Sequence, residues 1–79
     1  MSTETNLKQA FANALGVSAD RITDDLAYQG IPEWDSVSHM VLISELESAF
    51  DVSIDTDDVI DLSSVGKAKE ILRKYHIEI

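Results

Sequence analysis

The stretch that most constrains this chain is the run 37–50, VSHMVLISELESAF, which directly follows Asp35-Ser36. On a helical wheel of about 100° per residue with Ser36 at the origin, Leu42, Ile43, Leu46, Ala49 and Phe50 share one arc, between about 220° and 340°. An arc of that width must face a core. Val37, Met40 and Val41 lie on the outer side, between about 40° and 140°, together with Ser44, Glu47 and Ser48. The run is therefore an amphipathic helix with a second apolar face that a core does not need. Scattered exposed hydrophobes are ordinary. Here they lie beside Ser36 among acids, which favours a small docking patch, and Met suits a surface that meets several partners.

The start of this helix carries the chemistry. Asp35 can cap it by accepting a hydrogen bond from an amide one turn in. Ser36 then takes the first helical position, next to unpaired N–H groups and the positive end of the helix dipole. A negatively charged group esterified to its hydroxyl is favoured there. His39 falls near 300°, within the core arc, and reads as a packed residue whose nitrogens find nearby backbone. A Ser36–His39 catalytic pair is a poor reading. It lacks an orienting acid and an oxyanion hole, and His76 is far along the chain.

The other segments read as scaffold. Leu7, Ala10, Phe11, Ala14 and Leu15 form a helical stripe, with Ser2 or Thr3 as cap and Gly16 as a left-handed stop. Residues 18–22 can form a short helical turn. A long loop then pins itself to the core through Leu26, Tyr28 and Ile31, punctuated by Gly30 and Pro32. After Phe50 an extended connector buries Val52 or Ile54, and Thr56 can cap a short helix through Asp57, Asp58, Val59 and Ile60. The last helix begins near Ser63 or Ser64, runs to about Tyr75 and buries Val65, Ala68, Ile71, Leu72 and Tyr75. The expected fold is all-α: a small bundle of three main helices plus one short helix, in a single domain spanning 1–79.

Composition removes several function classes. A chain of 79 residues forms one modest core, because at this size only a little over ~60% of the unfolded surface is buried. Without Cys there is no disulfide framework and no thiolate metal site. The acids between 55 and 66 fail as a calcium loop, since Ile60 stands where Gly is required and Gly66 where a bidentate Glu is required. The first residues show no signal peptide, and no apolar stretch nears the ~20 residues of a membrane span. A cytoplasmic monomer is expected. Fifteen acids against six bases give −9, and eleven of the acids lie between Arg21 and Lys67, where no base occurs. Such a field repels nucleic acid and anionic membrane and steers basic protein surfaces towards Ser36.

The stretch Glu33-Trp34-Asp35-Ser36-Val37-Ser38-His39-Met40 resembles the prosthetic-group site of acyl carrier proteins, where an Asp-Ser-Leu or Asp-Ser-Val motif opens the second helix. The resemblance extends through Leu26, Gly30, Ile31, Leu42-Ile43, Leu46-Glu47, Phe50-Asp51, Ile54, Asp57-Asp58, Val65 and Ile71. It implies a carrier, not an enzyme. Ser36 would bear a covalent 4′-phosphopantetheine arm, and Asp35 would orient the site and help recruit a phosphopantetheinyl transferase. Val37, Met40, Val41 and Glu47 would form the docking face for acyl- or aminoacyl-loading ligases and synthases with basic surfaces. Leu42, Ile43, Leu46 and Ile60 would line a space for the acyl chain, although ordinary core packing accounts for them equally.

The chain departs from the fatty-acid-synthesis members of that family. Trp34 precedes Asp35, and Ser38, Val41, Ser48 and Ala49 occupy positions that are often acidic there. The Glu-Trp-Asp-Ser string looks more like stand-alone or modular carriers of polyketide, peptide or specialised lipid pathways. Trp34 would then contact the transferase or cover the loop. Two alternatives stand beside this reading. One is an aminoacyl, D-alanyl or peptidyl carrier using the same arm. The other, of a different class, is an unmodified acidic helical adaptor for a basic partner.

Overall fold

The computed structural model describes residues 3–79. Helix α1 spans Thr3–Leu15, a single 3₁₀ turn spans Ala19–Arg21, and α2 (Ser36–Phe50), α3 (Thr56–Asp61) and α4 (Val65–Lys74) follow. This is the expected all-α bundle of three main helices and a short one. Extended pairing among the described residues is confined to one isolated antiparallel bridge, Ala27 with Ser64.

Helix α1 stops where the chain turns left-handed at Gly16, φ 70°, whose N–H reaches back to the Ala12 carbonyl. Only a residue without Cβ takes that conformation readily. The buried face is Leu7, Ala10, Phe11 and Leu15 as expected, with Ala12 buried and Ala14 only half-buried. The arc is wider than the stripe suggested because α2 and the 3₁₀ turn both pack on this helix. Of the two caps expected for α1, Ser2 lies outside the described residues and Thr3 is already helical.

The interior is built from α1, α2, α4 and the segments that join them. Leu7, Phe11, Ile22, Trp34, Leu42, Leu46, Leu62, Val65 and Leu72 are all fully buried. Leu26, Tyr28 and Ile31 pack against them from the loop. On α2 the core arc is shorter than its wheel: Ala49 is exposed and Phe50 half-buried. Ala49 borders a shallow, mostly polar hollow lined by Asn6, Gln9, Ala10 and Asn13 of α1 and by Glu45.

The loop is held by backbone bonds to the far end of the molecule. The Val65 and Gly66 amides, the first two of α4, donate to the carbonyls of Leu26 and Asp24, each at 3.0 Å. The third, Lys67, donates to the Ser64 hydroxyl at 3.0 Å. All three unpaired donors at that helix start are thereby satisfied. Tyr28 N–H adds a bond to Ser63 O, and Gln29 N–H one to Trp34 O. Gly30 closes a tight turn in which a Cβ would meet Ala27 O at 2.8 Å. The loop thus fixes where α2 begins.

Helix α3 starts one residue earlier than a Thr56 cap requires. Asp55 occupies the cap position without a side-chain bond, and Thr56 is the first helical residue. The Asp55 N–H itself donates to the Tyr75 hydroxyl, which in turn donates to Asp58 and ties this helix start to the end of α4. In the connector Ile54 is buried and Val52 half-buried. The tail folds back, with Ile77 N–H on Leu72 O, Arg73 Nε–H on Ile79 O, and Ile77 and Ile79 against the core.

Candidate functional site

Ser36 is the first residue of α2 and is exposed. Asp35 caps the helix as expected: Oδ1 accepts from Ser38 N–H at 2.9 Å, and His39 N–H makes the first intrahelical bond to Asp35 O at 2.8 Å. The bond from the Ser38 amide, above all, holds the Asp35 carboxyl below its ordinary value. The cap bond goes to the Ser38 amide, and the Ser36 side chain stands exposed beside it. The contrast with α4 is direct. There the loop closes over the helix start, whereas α2 presents its first residue to solvent on a rigid element.

Trp34 is completely buried, so it neither contacts a partner protein nor merely covers the loop. Its indole N–H donates to His39 Nδ1 at 3.0 Å, and the two rings stack at 23°. Since Nδ1 accepts, Nε2 carries the proton and donates to Val59 O of α3 at 2.9 Å. His39 is thus packed with both nitrogens satisfied, one by backbone and the other by the indole. Neither is open to serve Ser36 as a base. Trp34 precedes the cap and His39 is the fourth helical residue, the two positions of a staple across a helix start, here joined by a hydrogen bond. The five-residue spacing of Trp34 and His39 across the Asp35 cap is the sequence signal for it.

Val37, Met40 and Val41 stand 72%, 62% and 46% exposed, so the outer apolar face of α2 is present on the surface. Glu47 differs from its companions. It is half-buried, and Oε2 accepts from Ile54 N–H at 2.8 Å, which spends this carboxylate on the connector. Leu42, Ile43 and Leu46 are core residues, but Ile60 is 74% exposed and packs in no interior. It borders an apolar surface groove of about 270 Å³ with Tyr28, His39, Val59, Leu62 and Ser63.

The acidic field is less uniform than the sequence implies. Asp58 is buried, taking Lys74 Nζ on one oxygen and Tyr75 OH on the other, each at 2.6 Å. These two donors hold its carboxyl below the ordinary value. Lys69 is buried between Glu4 and Asp24, at 2.6 and 2.7 Å, which raises its pKa and lowers both carboxyls. Neither lysine pairing follows from local sequence, because the partners lie 16 to 65 residues away. Among the described residues no cluster of ligating side chains is arranged for a metal ion.

The comparisons with known proteins agree on one family. The model of the phosphopantetheine attachment site matches residues 6–72. An acyl carrier protein of Lactobacillus johnsonii is 34% identical over 59 residues, covering 75% of this chain and 74% of the relative. An acyl carrier protein of Desulforapulum autotrophicum is 33% identical over 75 residues, covering 94% and 97%. No solved structure gives a significant match.

Proposed function

From the chain's membership of the phosphopantetheine-binding acyl carrier protein family, we propose that Ser36 is the residue to which its 4′-phosphopantetheine is attached. Proteins of this family are carriers, not enzymes, and the prosthetic group is covalent. When bound, that group supplies a terminal thiol for thioesters, in a chain that contains no Cys. The observation that supports Ser36 is its position: an exposed hydroxyl on the first residue of a helix, behind an ionised aspartate cap. A phosphodiester there meets the positive end of the helix dipole. Asp35 fixes the helix start and keeps the serine on a rigid element.

Residues 1–79 act in this reading as one carrier domain, monomeric and cytoplasmic. No helix of the described residues is long and apolar enough to cross a membrane. Val37, Met40 and Val41 form the docking face for the transferase and for loading ligases or synthases, with the acidic surroundings steering basic partners. The acyl thioesters serve fatty-acid, polyketide or specialised lipid synthesis, and general fatty-acid synthesis is not the sole client. That assignment rests on Glu33-Trp34-Asp35-Ser36 and on Ser38, Val41, Ser48 and Ala49. Nothing in the geometry favours the unmodified acidic adaptor.

The test is an intact-mass spectrum after incubation with coenzyme A, Mg²⁺ and a broad-specificity phosphopantetheinyl transferase. The wild-type chain gains one phosphopantetheine unit and Ser36→Ala gains none. A gain that persists in Ser36→Ala would move the attachment site elsewhere, and no gain on folded wild-type chain would defeat the carrier reading.

A further inference from the structure

An alkyl chain on a thioester at the end of an arm is driven out of water. The face of α2 that leads from Ser36 into the apolar interior carries Leu42 and Leu46. Both are already fully buried. Between α2 and α3 the way in is crossed by a polar link: Trp34 Nε1–H to His39 Nδ1 at 3.0 Å, then His39 Nε2–H to Val59 O at 2.9 Å. Aromatic rings fill the space around it, with Phe11 edge-on to the indole at 5.4 Å and Tyr28 against His39 at 5.2 Å. The apolar hollow that does exist here is the surface groove beside Ile60.

Parting α2 from α3 would break the His39–Val59 bond. It would strand Val59 O, in the last turn of α3, where intrahelical donors run out. The Trp34 bond holds the His39 ring in the tautomer that donates to Val59 O. We propose that the Trp34–His39–Val59 link determines cargo specificity by keeping the helix interior closed to acyl chains. This carrier then takes short or polar acyl and aminoacyl groups that stay in solvent at the end of the arm. The inference rests on Ser36 as the attachment site.

The experiment loads the full chain with acetyl- or octanoyl-phosphopantetheine from the coenzyme A thioesters and compares thermal midpoints and Leu42 and Leu46 methyl resonances. The two wild-type forms melt within ~1 °C of each other, with the same methyl shifts, where burial of the longer chain would raise the midpoint by roughly 4–8 °C or more. In His39→Ala and Trp34→Leu the octanoyl form melts above the acetyl form of the same variant, a difference that general destabilisation does not produce. A wild-type octanoyl form that melts several degrees higher, with moved Leu42 and Leu46 methyls, overturns the exclusion alone. Equal midpoints in both variants remove the link as its cause. Should one variant not fold, the other decides whether the link is the cause, and the wild-type pair decides the exclusion. Failure of the wild-type chain to take up either arm overturns the Ser36 reading and this inference with it.

Discussion

Trp34 does two jobs that a smaller apolar residue cannot combine. It fills the centre of the core at 0% exposure, and it supplies the donor that fixes the His39 tautomer. The two contributions separate by substitution. Trp34→Phe keeps most of the bulk and leaves His39 Nδ1 without its donor, a loss of about 1–2 kcal/mol. Trp34→Ala adds a cavity and costs about 3–5 kcal/mol. Urea midpoints check both, and a Trp34→Phe chain as stable as wild type would mean that the bond carries no net weight. At the other end of α2, Asp51 closes the helix in the left-handed region at φ 53°, with an acidic side chain at the negative end of the dipole. Both features oppose stability. Asp51→Gly is therefore expected to stabilise the protein by about 0.5–1 kcal/mol, read as a higher urea midpoint with an unchanged slope.

Between elements, the join of α3 to α4 depends on ionisation. Asp58 in the first turn of α3 receives Lys74 and Tyr75 from the end of α4, and the Tyr75 oxygen accepts from the Asp55 amide. The folded carboxyl lies below its ordinary 3.8, mainly through the Lys74 and Tyr75 hydrogen bonds. Its contribution is whole from neutrality down to about pH 4 and is lost as pH falls further, where the unfolded chain binds the proton first. Lys74, raised above 10.5 by the same pair, contributes fully below that value and loses its share as pH rises through the folded value. Urea midpoints from neutrality into acid should show a shallower fall for Asp58→Asn than for wild type. Parallel acid limbs would place the acid sensitivity elsewhere. This join also marks where sequence reasoning stops. The helices, the Asp35 cap, the Gly16 stop, the Ser64 start of α4 and the outer face of α2 all follow from local periodicity and turn chemistry. Nothing in the local sequence marks Asp58 or Lys69 as buried, because only the packing of distant segments buries them. Glu47 was legible as an outward acid but not as the partner of Ile54, because that bond needs the connector to fold back along α2. Ile60 lines a surface groove and not the interior, because α3 turns Asp58 and part of Val59 inward and leaves Ile60 on its outer side.

Across the whole molecule, charge acts in opposite directions on stability and on encounter. A net −9 is held within a body of 30 × 29 × 20 Å. At about 0.01 M salt the screening length is about 30 Å, so that every acid feels every other; at about 0.15 M it falls to about 8 Å. The attractive pairs respond less, because Lys69–Glu4, Lys69–Asp24 and Lys74–Asp58 close at 2.6 to 2.7 Å, well inside either length. Added salt therefore removes more repulsion than attraction. The thermal midpoint should rise by several degrees over that range, since in a domain this small roughly 4–8 °C corresponds to 1 kcal/mol. A midpoint that falls would mean that the ion pairs outweigh the long-range repulsion. The same screening weakens the field that draws basic surfaces towards α2, so association with a loading enzyme should slow as the carrier itself becomes more stable. Measured together on one preparation, a rising midpoint and a falling association rate separate the field's effect on the fold from its effect on docking. A patch that docks through Val37, Met40 and Val41 alone would show the first change without the second.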